Sequence, residues 1–127
     1  MVDICYRSDF VYMVPPFMAY YAASSNNQTL FDLTMQQCEE YRALLKSSSG
    51  AWMHISASSG ADTALWSTGN GWAAMGMTRV LATLLKSSFS SSIQQTNSAN
   101  LIAWIKEIID GAKATSVRHL LSDMYLH

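Results

Sequence analysis

Three stretches of this chain repeat their apolar residues every three or four positions, and none alternates apolar with polar long enough to form a half-buried strand. That period brings positions i, i+3, i+4 and i+7 to one face of a helix, so the expected class is all-α. The first stretch runs from Thr29 to about Lys46, with Leu30, Leu33, Cys38, Tyr41, Leu44 and Leu45 on one stripe. Thr29 and Asp32 read there as a capping box. The second starts after Asn70 and ends near Lys86, turning Ala73, Met77, Val80, Leu81 and Leu84 inward. The third runs from Ser98 to about Ala112 and presents Leu101, Trp104, Ile105, Ile108 and Ile109. A fourth helix is expected over "PPFMAYYAAS" (15–24), because proline suits a first helical turn. It is apolar nearly all round, so it should be an inner, buried helix. A short fifth covers "SVRHLLSDMY" (116–125), giving four to five helices in one domain over 1–127.

The connectors differ in kind. "SSFSSSIQQTNS" (87–98) reads as a polar spacer. The segment "KSSSGAWMHISASSGADTALWSTGNG" (46–71) is longer than the ~12–15 residues at which a loop in a compact domain tends to carry function. It holds Trp52, His54 and Trp66 and runs up to Trp72, which is not the composition of a disordered segment. Trp66 and Trp72 flank Gly69-Asn70-Gly71, read as a turn with Asn70 capping the helix that follows.

Several function classes are excluded early. Net charge is −1, with no basic stripe for nucleic acid. The longest apolar run, Phe10 to Ala23, contains two prolines and falls short of the ~20 residues a membrane span requires. Gly69-Asn70-Gly71-Trp72-Ala73-Ala74 matches a dinucleotide fingerprint formally, but no strand follows the helix and no acid stands near Ser91. Three scattered histidines and two cysteines form no zinc pattern, so neither metal nor cofactor is expected. Cys5 and Cys38 permit one disulfide at most, and two thiols are the simpler reading. Only 13% of residues are charged, against ~25% on average, and serine fills much of the gap. With the sequon Asn27-Gln28-Thr29, that leans toward an extracellular protein, although no leader is expected in "MVDICYRSDF".

What remains is an acid in an unusual place. Asp9 stands directly before "FVYMVPPFMAYY", the most apolar stretch of the chain. Beside apolar walls, desolvation favours the protonated form of a carboxyl, which suits a general acid. The alternative is that Asp9 caps or solvates a helix entry. His54 is read either as a structural histidine or as a site residue. Trp52, Trp66 and Trp72 are either core or platforms for sugar rings.

At this point "SDFVYMVPPFMAYYA" (8–22), "GAWMHIS" (50–56) and "DTALWSTGNGWAAMGMTRVLATL" (62–84) resemble, in order, three segments of the six-hairpin glycosidases. The resemblance is to glycoside hydrolase families 88 and 105, the unsaturated glucuronyl and rhamnogalacturonyl hydrolases, and covers about residues 7–110. It implies part of an (α/α)6 barrel, with long functional loops at one end. It also implies an oligosaccharide substrate and hydration of the C4=C5 double bond of an unsaturated uronic acid. By position in these motifs, Asp9 is the general acid and base. Met13, His54, Trp66, Asn70 and Trp72 line the sugar pocket, Asn70 with a structural role as an equal alternative. Many family members carry arginine where this chain has Thr68, and the barrel's further helices have no counterpart here. The chain is therefore expected to be a segment of the enzyme, with an incomplete site and exposed barrel edges that favour self-association. Two rival readings are an inverting glycosidase with Asp62 as second acid, and a non-catalytic sugar-binding remnant with Trp66 and Trp72 as its platform.

Overall fold

The computed structural model describes the backbone of residues 5–125 and the side chains of residues 5–116. Strand β1 (Cys5–Arg7) leads into helix α1 (Phe10–Ser24), followed by α2 (Gln28–Leu45), strand β2 (Ile55–Ala57), α3 (Ser67–Lys86) and α4 (Ser91–Tyr125). The chain is all-α in class, as expected. Its helices form two hairpins, α1 with α2 and α3 with α4, and α1 packs against α3. Paired helices set side by side in this way are the repeating unit of an (α/α)6 barrel.

The hairpins close on short polar turns. Asn26 takes a left-handed φ of 49°, and the Asn27 side chain then caps α2 by accepting from the Leu30 N–H at 3.0 Å. Asn27 therefore starts this helix, in place of the expected Thr29–Asp32 capping box. The stripe on α2 is also rotated from the expected one. Phe31, Thr34, Met35, Cys38 and Leu45 are buried, while Leu33 and Leu44 face outward. Thr34 tolerates burial because its hydroxyl donates to the Leu30 carbonyl at 2.8 Å.

Helix α1 departs further from expectation. It begins at Phe10, so Pro15 and Pro16 lie in its interior and not in its first turn. Each proline lacks the N–H that would bond four residues back, which frees the carbonyls of Val11 and Tyr12. Nor is the helix buried all round, because Met13, Phe17, Tyr20 and Tyr21 lie 56–68% exposed along one face. Its opposite face, with Val11, Ala19 and Ala22, joins the core formed by Phe31, Cys38, Met77, Val80, Leu84, Leu101 and Ile108.

The expected spacer at 87–98 is largely helical. Helix α4 starts at Ser91 and absorbs both the third and the fifth expected helices into one element of 35 residues. Its inward face is the expected one at Leu101 and Ile108, whereas Ile109 is exposed. Gly111 sits at a contact where a Cβ would lie 2.3 Å from the Ala51 nitrogen, so the helix passes against the loop backbone.

The long segment before α3 is ordered by backbone pairing. A bridge joins Lys46 to Trp52, and another joins Ile55 to Asp62. β2 pairs antiparallel with β1 in the register Cys5↔Ala57, Tyr6↔Ser56, Arg7↔Ile55. This two-stranded ribbon was not expected from the sequence, because three residues a strand are too few to show a period of two. Among the described residues, no helix is long and apolar enough to cross a membrane.

Candidate active site

Three backbone segments meet where β1 runs into α1. The Ser8 N–H donates to the His54 carbonyl at 3.0 Å, and the His54 N–H donates to the Ala64 carbonyl at 2.9 Å. The His54 ring lies 4.6 Å from the Trp66 ring, tilted by 58°. Gly69 closes the cluster: a Cβ there would stand 2.3 Å from Ser8 Oγ and 2.6 Å from the Trp66 ring. Asp9, His54 and Trp66 thus belong to neighbouring pieces of backbone, although the loop and two helices separate them in sequence.

Asp9 occupies the N-cap position of α1, but its side chain makes no capping bond. Its carboxylate instead pairs with Arg7 Nε at 3.2 Å and is 17% exposed. The guanidinium two residues upstream is a neighbour that reading forward from Asp9 does not weigh. A carboxylate at this end of α1 also faces the positive end of the helix dipole.

Gly69-Asn70-Gly71 is not a turn. The helix starts at Ser67 with Trp66 as its N-cap, so Asn70 lies inside the first turn, 3% exposed. Its amide is bonded three times to backbone. Oδ1 accepts from the Trp52 N–H at 2.7 Å, and Nδ2 donates to the carbonyls of Trp52 at 2.9 Å and Trp66 at 3.0 Å. The side chain grips one residue of the loop, Trp52, by both its N–H and its C=O, and holds that part of the loop against α3. These bonds are internal to the protein and replace the expected capping role.

The two indoles at the ends of this element face different partners. Trp66 packs at a tilt against His54, whereas Trp72 lies 4.6 Å from Tyr12, with Arg79 placed 5.1 Å over the Tyr12 ring. Arg79 also lines a groove of about 380 Å³ with Met13, Pro16, Phe17 and Tyr20. Asp9, His54, Trp66 and Asn70 therefore form one group, and Met13 lies with Arg79 on the α1–α3 surface beside Trp72. Tyr12 and Arg79 went unnoticed in the sequence, yet Arg79 stands seven residues after Trp72, two turns along the same face.

Asp62 is committed as well. Its Oδ2 lies 2.9 Å from His54 Nδ1 and its Oδ1 accepts from the Ala64 N–H at 3.0 Å. The bond from His54, followed by that from Ala64, holds the carboxyl below its ordinary range. The two cysteines are unbridged, Cys5 exposed and Cys38 buried, and burial pushes the Cys38 thiol up to about 12.

The family profile described as Glycosyl Hydrolase Family 88 matches residues 8–114, a span that holds all of these side chains except Cys5 and Arg7. No characterised protein and no solved structure matches the chain. The matched span is most of the 127 residues, and its first positions are the Ser8-Asp9 pair around which the cluster is built. On that footing the chain belongs to glycosyl hydrolase family 88.

Proposed function

We propose that this glycoside hydrolase acts on oligosaccharides ending in a 4,5-unsaturated uronic acid, and that it works by hydrating the C4=C5 bond. The observation that carries the reading is the meeting of Asp9, His54 and Trp66 through the Ser8–His54 backbone bond and the His54–Trp66 ring contact. In this reading substrate draws Asp9 away from Arg7, and the carboxyl, once protonated, gives its proton to C4 while positive charge develops at C5 and the ring oxygen. Water adds at C5 and returns a proton to the Asp9 carboxylate. The hemiketal so formed opens and releases the neighbouring sugar. Trp66 offers a partly exposed aromatic ring for the sugar, and His54 packs against that indole. Trp72, Tyr12 and Met13 border the next stretch of surface, where a further sugar would lie.

The test is the loss of the ultraviolet band of a Δ4,5-unsaturated disaccharide incubated with the folded chain. Asp9→Asn should lower that rate by ~10²–10⁴, the usual worth of a general acid–base group. A folded chain that leaves the band unchanged while cleaving a saturated aryl glycoside would overturn the reading. The rival in which Asp62 serves as second acid needs a carboxylate free to activate water. Both oxygens of Asp62 already accept hydrogen bonds from within the protein, which weighs against that rival.

A further inference from the structure

The His54 imidazole is bonded on one edge only. Nδ1 meets the Asp62 carboxylate at 2.9 Å, while Nε2 is buried and has no hydrogen-bond partner among the described residues. The partner on the bonded edge is itself fixed. Asp62 exchanges both backbone bonds with Ile55, at 2.8 and 3.0 Å, and its Oδ1 accepts from the Ala64 N–H. His54 donates its own N–H to the Ala64 carbonyl one rung away. Gly60, at a φ of 70°, lies in the connection between the two arms. Imidazole and carboxylate are thus presented from adjacent rungs of one small hairpin, whose backbone sets their separation.

That arrangement dictates where the ring proton sits. An ionised carboxylate only accepts, so the hydrogen in the Asp62–His54 bond must come from Nδ1. A neutral imidazole carries one ring hydrogen, and with Nδ1 holding it Nε2 is a bare lone pair. Buried acceptors are rarely left unpaired, so this one lacks a donor that something else supplies. The Trp66 ring packs against the imidazole at 4.6 Å and is itself 38% exposed, at the N-cap position of α3. A sugar settling on that indole arrives beside the imidazole.

We propose that Asp62 is a positioning residue that locks His54 as its Nδ1–H tautomer, so that Nε2 accepts a hydrogen bond from a hydroxyl of the bound sugar. The choice of hydroxyl follows from the proton count. A substrate carboxylate would need a donor at this point, and a bare Nε2 has none. The hydroxyl half of the proposal rests on the function proposed above, whereas the tautomer half stands on the hairpin alone.

The two halves are read separately. Two-bond proton–nitrogen correlation spectra of the ¹⁵N-labelled full chain, at mildly alkaline pH, report the tautomer, and His54→Gln identifies the His54 signals. We expect a protonated Nδ1 and a bare Nε2 in the native chain. In Asp62→Ala the pattern should shift toward Nε2–H, and Asp62→Asn covers the case in which the alanine variant does not fold. An Nε2–H or doubly protonated ring in the native chain overturns the lock. So does an Nδ1–H ring that survives both substitutions. With the Δ4,5-unsaturated disaccharide as probe, the Asp62 variants should lose ~10–100-fold in kcat/KM, the size seen when a metal-bound histidine loses its orienting partner. An unchanged kcat/KM alongside a shifted tautomer overturns the hydroxyl contact. A native chain with the expected tautomer and no turnover overturns the proposed function and the hydroxyl contact together, and leaves the lock standing.

Discussion

Gly76 in α3 lies directly against the Val11 carbonyl of α1: a Cβ there would stand 2.2 Å from the Val11 oxygen. That carbonyl is one of the two freed by the interior prolines, because Pro15 has no N–H to bond it. The glycine hydrogen that takes the place of Cβ points at the oxygen, a weak C–H···O contact where the helical bond is missing. Pro15 of α1 and Gly76 of α3 are therefore a matched pair.

Gly76→Ala should separate the two helices at this point, since the obstructing atom is backbone and cannot rotate away. We expect a loss of ~1–3 kcal/mol, typical of overpacking. Thermal unfolding followed by circular dichroism measures it, and an unchanged midpoint would contradict the close approach.

Asn70→Ala should be more damaging than its size suggests. It leaves the N–H and C=O of Trp52 buried without their partner, at ~1–3 kcal/mol for each unsatisfied group. Asn70→Asp keeps the acceptor but sets a buried carboxylate oxygen against the carbonyls of Trp52 and Trp66, so it should be at least as damaging as alanine. Chemical unfolding of the three chains checks the order.

Glu107 predicts how the fold responds to acid. Burial pushes its carboxyl up, but bonds from Arg42 and Lys46 outweigh this and hold it below its ordinary 4.5. A depressed carboxyl stabilises the fold above the unfolded value and loses that contribution as pH falls through the folded one. Glu107→Gln should therefore lower stability at neutral pH by up to ~1 kcal/mol, allowing for the partial exposure of the group. The gap to the native chain should close as pH drops below about 4.5. A gap that persists unchanged in acid would show that the network contributes through packing and not charge.

The stripe of Met13, Phe17, Tyr20 and Tyr21 should drive self-association, as the open edge of a barrel would. In sedimentation, the native chain should show a concentration-dependent mass. A Phe17→Glu, Tyr20→Glu double variant should run as a monomer with its helical content retained. A native chain that is monomeric at all concentrations would contradict this.

The helices were legible in the sequence where a long periodic face meets a single partner, as on α3, whose Ala73, Met77, Val80 and Leu84 are all buried. They were misjudged where chemistry overrides period. Prolines suggest a helix start, but Gly76 makes room for the Val11 carbonyl that Pro15 leaves free, and α1 begins five residues earlier. Gly69-Asn70-Gly71 carried the signature of a turn, yet Asn70 is helical because its amide has partners on a distant loop that local propensity does not see. At the site, the motif residues could be marked in the sequence. Which of them meet could not, because β1 and β2 are too short to announce their pairing. Asp62 was noticed as an acid, and only the hairpin reveals it as the partner of His54.

The Ser8–His54 bond also sets an order of events in time. The helix ladders form within a few residues of chain, on the time scale of local structure. The contact that ties Ser8 to His54 instead closes a loop of roughly 45 residues, and that entropy must be spent before any gain returns. During refolding, the quenching of Trp66 by its neighbour should therefore lag behind the far-ultraviolet signal of the helices. During synthesis, a ribosome must finish the loop and the start of α3 before the site has any shape. The geometry of the candidate site is a late product of folding, and a chain can be almost wholly helical without yet possessing it.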